Sequence, residues 1–77
     1  MLIMLENFEK IVLEKLRSIK NQLPISVSDL ATMLGYEEKI VQKACNMLYA
    51  DGYISGMTAD DVDNAPKGFI LYIHEVY

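Results

Sequence analysis

Cysteine, histidine and tryptophan are almost absent from this chain. Its 77 residues include one cysteine, one histidine and no tryptophan. Because Cys45 has no second cysteine to pair with, no internal disulfide can form, which is typical of proteins in a reducing compartment. Cys45 and His74 alone cannot supply a metal site of the cysteine/histidine type. We therefore expect a cytoplasmic protein without a bound metal or other cofactor.

Long apolar runs are absent as well. No stretch of 18 consecutive apolar residues occurs, so we expect no segment that spans a membrane. Residues 1–5 are apolar but too few for a signal peptide, and they lack its basic start. The length suits a single domain over residues 1–77. Its core would be so small that a dimer partner or unusually good packing is expected.

The motifs of the common enzyme classes are also missing. The sequence contains no nucleophile–base pair, phosphate-binding glycine loop or dinucleotide fingerprint, so we expect no enzymatic activity. Asp61 and Asp63 are spaced like the start of an EF-hand calcium loop, but Pro66 stands at the sixth position, where that loop has glycine. A solvated acidic loop is the preferred interpretation of this segment.

Charge is distributed unevenly along the chain. The net charge is −4, and residues 1–25 hold four basic and three acidic residues, whereas residues 26–77 hold three basic and eight acidic residues. Binding to nucleic acid depends on basic side chains that neutralise phosphates. The acidic excess after residue 25 therefore works against DNA binding by that part of the chain.

Two short helices are predicted between residues 26 and 51. Ser26 can cap the first one by accepting a hydrogen bond from the amide of Asp29, and Gly35 suits the left-handed position that ends it. We predict helix 2 over residues 26–34 and helix 3 over residues 37–51, joined as a helix-turn-helix. Each has apolar residues at helical spacing, namely Val27, Leu30, Ala31 and Leu34 in the first and Val41, Ala44, Cys45 and Leu48 in the second.

These segments carry a family resemblance. Leu-Ala-x-x-Leu-Gly over residues 30–35, the apolar positions of helix 3, and Asp-Gly-Tyr-Ile over residues 51–54 resemble the winged helix-turn-helix superfamily. The resemblance implies an α+β fold with three helices followed by a two-stranded β-hairpin wing. It implies DNA binding in most members and protein binding without nucleic acid in others.

Helix 1 is predicted over residues 6–22. Leu2 and Leu13 lie beyond the edge of its apolar stripe and Leu5 extends that stripe, so the helix could pack on a second copy of the chain. We place these three leucines in a candidate dimer or partner interface; a frayed extension over residues 1–5 and a lone exposed leucine at position 13 are the alternatives. The stripe expected to face the core consists of Phe8, Ile11, Val12, Lys15, Leu16 and Ile19.

Two strands are predicted over residues 53–57 and 68–75, and Ile25 can form a short strand ahead of helix 2. The loop between the two strands is acidic, and Thr58 could cap one helical turn inside it. A wing that contacts DNA normally offers basic residues. Lys67 is the one basic residue of this loop.

The second strand has an unusually apolar outer face. If Phe69, Leu71 and Ile73 face the core, alternation directs their neighbours outward. That outward face is too apolar for a strand exposed only to water, so either it is covered or it meets a partner. The candidate interface on this face comprises Ile70, Tyr72 and His74, with Val76 beyond them.

Helix 3 is the candidate recognition helix. Amide side chains can pair with adenine, and lysine can contact guanine or phosphate. The same residues are also typical of an ordinary solvated helix face. Tyr36, in the turn before this helix, is expected to pack under helix 1, with stacking on a base as the alternative. The candidate DNA-binding residues are Lys39, Gln42, Lys43, Asn46 and Lys67, and helix 1 could add phosphate contacts from Lys10, Lys15, Arg17 and Lys20.

Two functions are consistent with these features. The first is a small homodimeric winged-helix regulator of transcription that binds double-stranded DNA. The second is a winged-helix module that binds a protein partner through its apolar outer strand, its acidic wing or helix 1, without binding DNA.

Overall fold

Three helices pack against a three-stranded antiparallel sheet in the computed structural model, which describes residues 7–58 and 69–77. The fold class is therefore α+β. The elements are α1 (Asn7–Ser18), a 3₁₀ helix (Lys20–Gln22), β1 (Ile25–Ser26), α2 (Val27–Leu34), α3 (Glu38–Ala50), β2 (Ile54–Thr58) and β3 (Ile70–Val76).

The observed spans lie within a few residues of the expected ones, apart from helix 1. The segment expected as one helix up to residue 22 is α1 followed by the short 3₁₀ helix. The expectations for residues 1–5, including Leu2 and Leu5, for Lys67, and for a helical turn after Thr58 lie outside the described residues.

Helix α2 is delimited by the local signals that its sequence contains. The amide of Asp29 donates to Oγ of Ser26 over 3.0 Å, so the N-cap is confirmed. Gly35 has φ 74°, and its amide donates to the carbonyl oxygens of Ala31 and Thr32. This left-handed residue without a Cβ lets the chain leave α2 and turn into α3.

Strand β3 lies in the centre of the sheet, in the order β1-β3-β2. Ile25 of β1 pairs with Ile73, and β2 pairs along most of β3. The register with β2 shifts twice, since Ser55 faces Glu75 but Gly56 faces Ile73, and Met57 faces Tyr72 but Thr58 faces Ile70. His74 and Leu71 are therefore extra residues on β3, each opposite no residue of β2.

These two bulges correct the predicted faces of β3. Ile70 and Val76 were expected to face outward, but Ile70 is 0% exposed and Val76 4%. Each extra residue reverses the alternation of side chains, so positions 70, 73 and 76 all point into the core. Leu71, expected in the core, is only partly buried. Placing Ile70 in an outer interface was therefore wrong.

Helix α1 is rotated relative to the predicted stripe. Leu13 is 4% exposed and belongs to the core, whereas Ile11 is 41% exposed. The reason is that α1 contacts both α3 and β3, so its buried arc must face the space between two elements. The expectation that Leu13 faces a second copy of the chain was wrong, because its side chain is already covered by its own domain.

The core is continuous across helices and sheet. Its fully buried large side chains come from every major element and include Leu16, Leu30, Leu48, Ile54, Ile70 and Ile73. In the ranges described, no helix combines the length and the apolar character needed to cross a bilayer.

At position 56 of β2, the bulged pairing with β3 leaves no room for a side chain, so a glycine is required there. A Cβ at this position would overlap the carbonyl oxygen of Tyr72 and lie 2.8 Å from its carbonyl carbon. We predict that Gly56→Ala lowers the free energy of unfolding by about 1–3 kcal/mol, because β3 backbone must move to admit the methyl group. Urea denaturation measures this change.

Gly35→Ala is the matched control for Gly56→Ala. Gly35 has open space around its missing Cβ, so a side chain there meets only the strain of a positive φ. We therefore expect Gly35→Ala to lower the free energy of unfolding less than Gly56→Ala does. Gly35→Asn should recover part of that loss, because asparagine tolerates a positive φ. Equal or greater stability of Gly56→Ala relative to Gly35→Ala would contradict the close approach of β2 and β3.

Candidate interaction face on the third helix

Helix α3 buries one side and exposes another of mixed character. Val41, Ala44, Cys45 and Leu48 are buried in the core, as their spacing predicts. The opposite side consists of Lys39, Ile40, Lys43 and Met47, which we call the α3 face. Ile40 is 46% exposed and Met47 is 42% exposed. These two side chains are seven residues apart, so they lie about two helical turns apart on the same side.

Two amide side chains of α3 hold β3 at Ile70. Nε2 of Gln42 donates to the carbonyl oxygen of Ile70 and, over 2.9 Å, to Oδ1 of Asn46. The same Oδ1 accepts a hydrogen bond from the amide of Ile70 over 3.0 Å. Both main-chain groups of a residue that is 0% exposed therefore have partners on α3. We call this arrangement the amide clamp.

The amide clamp corrects the predicted recognition face. Gln42 is 9% exposed and Asn46 is half-buried, whereas both were expected on the outward side of helix 3. An amide that holds a buried strand cannot also pair bidentately with adenine unless that strand is released. Of the five candidate DNA-binding residues, Lys39 and Lys43 are exposed as expected, and Lys67 lies outside the described ranges.

A groove of about 850 Å³ lies between α3 and β3, beside the amide clamp. Lys39, Lys43 and Glu38 line it from the helix, the amide clamp lies along it, and Phe69 and Leu71 line it from the strand. Phe69 and Leu71 are each partly buried. We call this the α3–β3 groove; it combines charged, amide and apolar side chains.

A second, smaller groove of about 370 Å³ lies between α1 and α3. It is lined by Phe8, Glu9, Ile40, Lys43, Ala44 and Met47. The ring of Tyr36 meets that of Phe8 edge to face, with 5.1 Å between ring centroids. Tyr36 therefore packs against helix 1 as expected, although it remains 43% exposed. Lys43 lines both grooves and stands on the ridge between them.

Arg17, one of the basic residues of helix 1 expected to contact phosphate, is already hydrogen-bonded within the domain. Arg17 donates from Nε over 3.1 Å and from Nη2 over 2.7 Å to the main-chain oxygen of Tyr77. Two further hydrogen bonds hold Tyr77: its main-chain N–H donates to the carbonyl oxygen of Tyr53, and its hydroxyl donates to Oγ of Ser55. Arg17 thus serves to fasten the end of β3 to α1.

Two members of the predicted outer-strand interface do face outward. Tyr72 is 43% exposed, and His74 is exposed as well. With Ile70 and Val76 in the core, however, these side chains do not form a continuous apolar face on β3. The predicted interface on this side of the sheet is reduced to Tyr72, with His74 beside it.

Cys45 is buried among apolar side chains, and burial raises the pKa of its thiol from 9.0 to about 12. A thiol is a weak nucleophile and metal ligand until it ionises. Within residues 7–58 and 69–77, no group of three or more histidine, cysteine, aspartate or glutamate side chains is placed to hold a metal ion.

No family model, curated protein or solved structure matches this chain. The interpretation of the α3 face and its two grooves therefore depends on the geometry and chemistry of their own residues.

Four residues of this region were missed by the sequence reasoning: Ile40, Met47, Phe69 and Leu71. Ile40 and Met47 are apolar, seven residues apart and outside the inward stripe of helix 3, a signal that was available. Gln42 also had a signal, since it directly follows buried Val41 at the edge of that stripe. For Leu71 the sequence contains no such signal, because the direction of its side chain depends on a bulge that only the pairing of β2 with β3 reveals.

The amide clamp predicts a stability effect that an exposed recognition residue would not show. Asn46→Ala leaves the buried amide of Ile70 without its acceptor, and we expect a loss of about 1–3 kcal/mol in the free energy of unfolding. Asn46→Asp keeps an oxygen acceptor for the amide of Ile70, so its free energy of unfolding should fall less than that of Asn46→Ala. Urea denaturation of both variants measures the difference.

Lys39→Ala is the control, since an exposed helix position changes stability by less than about 0.5 kcal/mol. A double-mutant cycle of Gln42→Ala and Asn46→Ala should show coupling of at least about 0.5 kcal/mol. The amide clamp would be refuted if Asn46→Ala had no greater effect than Lys39→Ala, or if the two amides were energetically independent.

Burial of Cys45 predicts a thiol that reacts only when the domain opens. At pH 8 the thiolate population of a group with a pKa of about 12 is far smaller than that of a free cysteine. We expect a disulfide reagent to modify native protein at the rate of unfolding and urea-unfolded protein at once. Rapid modification under native conditions, at a rate proportional to reagent concentration, would show that Cys45 is accessible.

Proposed function

We propose that this chain is a winged-helix module that binds a protein partner through the α3 face. The winged-helix assignment is supported by the succession α1, β1, α2, α3, β2, β3 and by a sheet in which β1 and β2 flank β3. Capping at Ser26 and Gly35 adds to it, since those residues define the turn between α2 and α3.

The observation that carries the proposal is the exposure of Ile40 and Met47 on α3, which corresponds to the recognition helix in the winged-helix resemblance. Large apolar side chains grouped with aromatic neighbours mark surfaces that proteins use to bind one another. Phe8 and Tyr36 extend this apolar surface on the α1 side. Methionine suits such a surface because its flexible side chain adapts to a partner.

A second candidate function is DNA binding, which Lys39 and Lys43 favour because they are exposed one turn apart on α3. Specific DNA binders commonly neutralise about 6–10 phosphates. The two exposed lysines of α3 supply four cations in a homodimer, and Lys67 would raise this number to six, the lower end of that range. Glu37 and Glu38 stand exposed at the start of the same helix and oppose phosphate. The amide clamp further removes the two side chains best suited to reading adenine. These considerations place protein binding first.

A second copy of the chain is a poorer occupant of the α3 face than a different protein. If α3 packed antiparallel on its counterpart in a second copy, the two Lys43 side chains would lie near the centre of the contact. Like charges that face each other across an interface oppose association. A partner of different sequence fits the α3 face better than a second copy does.

Selection from a random peptide display library tests the proposed function. We expect peptides that bind the native chain and bind the double variant Ile40→Glu, Met47→Glu at least about tenfold more weakly, because a carboxylate replaces each apolar contact. Glutamate is a good helix former, so both exposed positions should keep their helix. Circular dichroism and urea denaturation check the fold of the variant.

Met33→Glu is the matched control, because Met33 is 46% exposed on α2 and lines neither groove of the α3 face. It should bind the selected peptides as native protein does. A library that yields no binder, or binders indifferent to Ile40 and Met47, would overturn the proposal. Binding of a mixed-sequence duplex at about 50 mM salt that weakens steeply with added salt would favour DNA binding instead.

A further inference from the structure

We propose that the α3–β3 groove takes a peptide segment in which carboxylate side chains stand next to large apolar ones. The inference rests on the proposed function and deepens it by naming the chemistry of the partner. Three features of the groove carry it: its exposed lysines, its apolar strand wall, and the hydrogen-bonding groups that the amide clamp does not use.

The helix wall of the groove supplies positive charge. Lys39 and Lys43 are both exposed, and neither makes an ion pair or hydrogen bond in the part of the chain that the structure describes. They are four residues apart, so their side chains rise from neighbouring turns on one side of α3. Among the described residues, Glu38 is the single acidic one that lines the groove. A net positive strip in a chain with charge −4 is complementary to carboxylates.

The strand wall supplies apolar surface. Leu71 is one of the two extra residues of β3, and the bulge turns it out of the core so that it lines the groove together with Phe69. Bulges are common beside binding sites, where they redirect a side chain. Leu71 and Phe69 can cover an apolar side chain of the segment while the lysines meet its acidic neighbour.

The amide clamp leaves one donor and one acceptor over. Oδ1 of Asn46 and Nε2 of Gln42 are used at Ile70, whereas Nδ2 of Asn46 and Oε1 of Gln42 have no partner among the described residues. Both residues line the groove. These two atoms match the carbonyl oxygen and the amide of a peptide backbone.

A phosphodiester backbone is less well matched to the same groove. Its oxygens can meet Lys39 and Lys43, but it offers no donor to Oε1 of Gln42 and no apolar side chain to Leu71 and Phe69. An acidic and apolar peptide satisfies all three features together. This is why we infer a peptide and treat nucleic acid as an outcome of the test.

The probe is a capped synthetic peptide, Gly-Asp-Leu-Asp-Leu-Gly, titrated into the full-length ¹⁵N-labelled chain and followed by amide chemical shifts. We expect saturable shifts at Lys39, Lys43, Leu71 and the side-chain amide of Asn46. A peptide with Asn in place of Asp should bind at least about tenfold more weakly, because charge-assisted hydrogen bonds are lost. A peptide with Ala in place of Leu should also bind more weakly.

Matched charge variants separate the groove from general attraction. The double variant Lys39→Gln, Lys43→Gln should weaken binding at least about tenfold. The double variant Lys10→Gln, Lys20→Gln removes the same charge from exposed positions outside the groove and should leave binding nearly unchanged. Leu71→Ser should weaken binding of the Leu peptide and have little effect on the Ala peptide.

The inference is overturned if the Asp and Asn peptides bind equally, if both lysine pairs have the same effect, or if the shifts fall outside the groove. It is also overturned if a duplex produces the groove shifts and the peptide does not. Failure here is distinct from failure of the proposed function. Library peptides that depend on Ile40 and Met47 would keep the α3 face as a protein-binding site even when the acidic peptide does not bind.

Discussion

The attachment of α3 to β3 at Ile70 is the constraint on which the arrangement of the α3 face and its grooves depends. Strand β1 is two residues long and pairs with β3 at Ile73 and Tyr72. Ile70 lies beyond that pairing, and a buried main-chain group without a partner would cost about 1–3 kcal/mol. Gln42 and Asn46 supply those partners from α3. Their side chains make the main-chain hydrogen bonds that a longer β1 would otherwise make.

This attachment has consequences for both walls of the neighbouring groove. It sets the distance from α3 to β3, and it fixes the rotation of α3 about its own axis, since two residues one turn apart are both held. With that rotation fixed, Lys39 and Lys43 line the α3–β3 groove, whereas Ile40 and Met47 line the groove between α1 and α3. The bulge next to Ile70 then directs Leu71 away from the core and toward the helix.

Local signals in the sequence were enough to predict most helices and strands, because their causes lie within a few residues. Helix α2 is the clearest case, with its cap at Ser26 and its left-handed glycine at Gly35. The α+β class and the short strand at Ile25 were also predictable. Membership of the superfamily and the proposed roles remain predictions, since no known protein matches the chain and only the arrangement of its own residues supports them.

The errors share a physical cause, which is dependence on a distant partner. The inward face of β3 follows from two register shifts against β2, and strict alternation therefore failed at Ile70 and Val76. Helix α1 turned by about one position because it packs on two elements, which brought Leu13 into the core. Gln42 and Asn46 looked like exposed amides because their acceptor and donor are 24 to 28 residues away.

One partner could use both grooves of α3 at once. Lys43 lines both of them, so a segment lying across this residue would contact Ile40 and Met47 on one side and Leu71 on the other. Apolar burial would then supply much of the affinity, and the lysines would select the partner by charge. Binding to the folded state alone also stabilises it by mass action. For a domain with so small a core, the same contact would provide both recognition and additional stability.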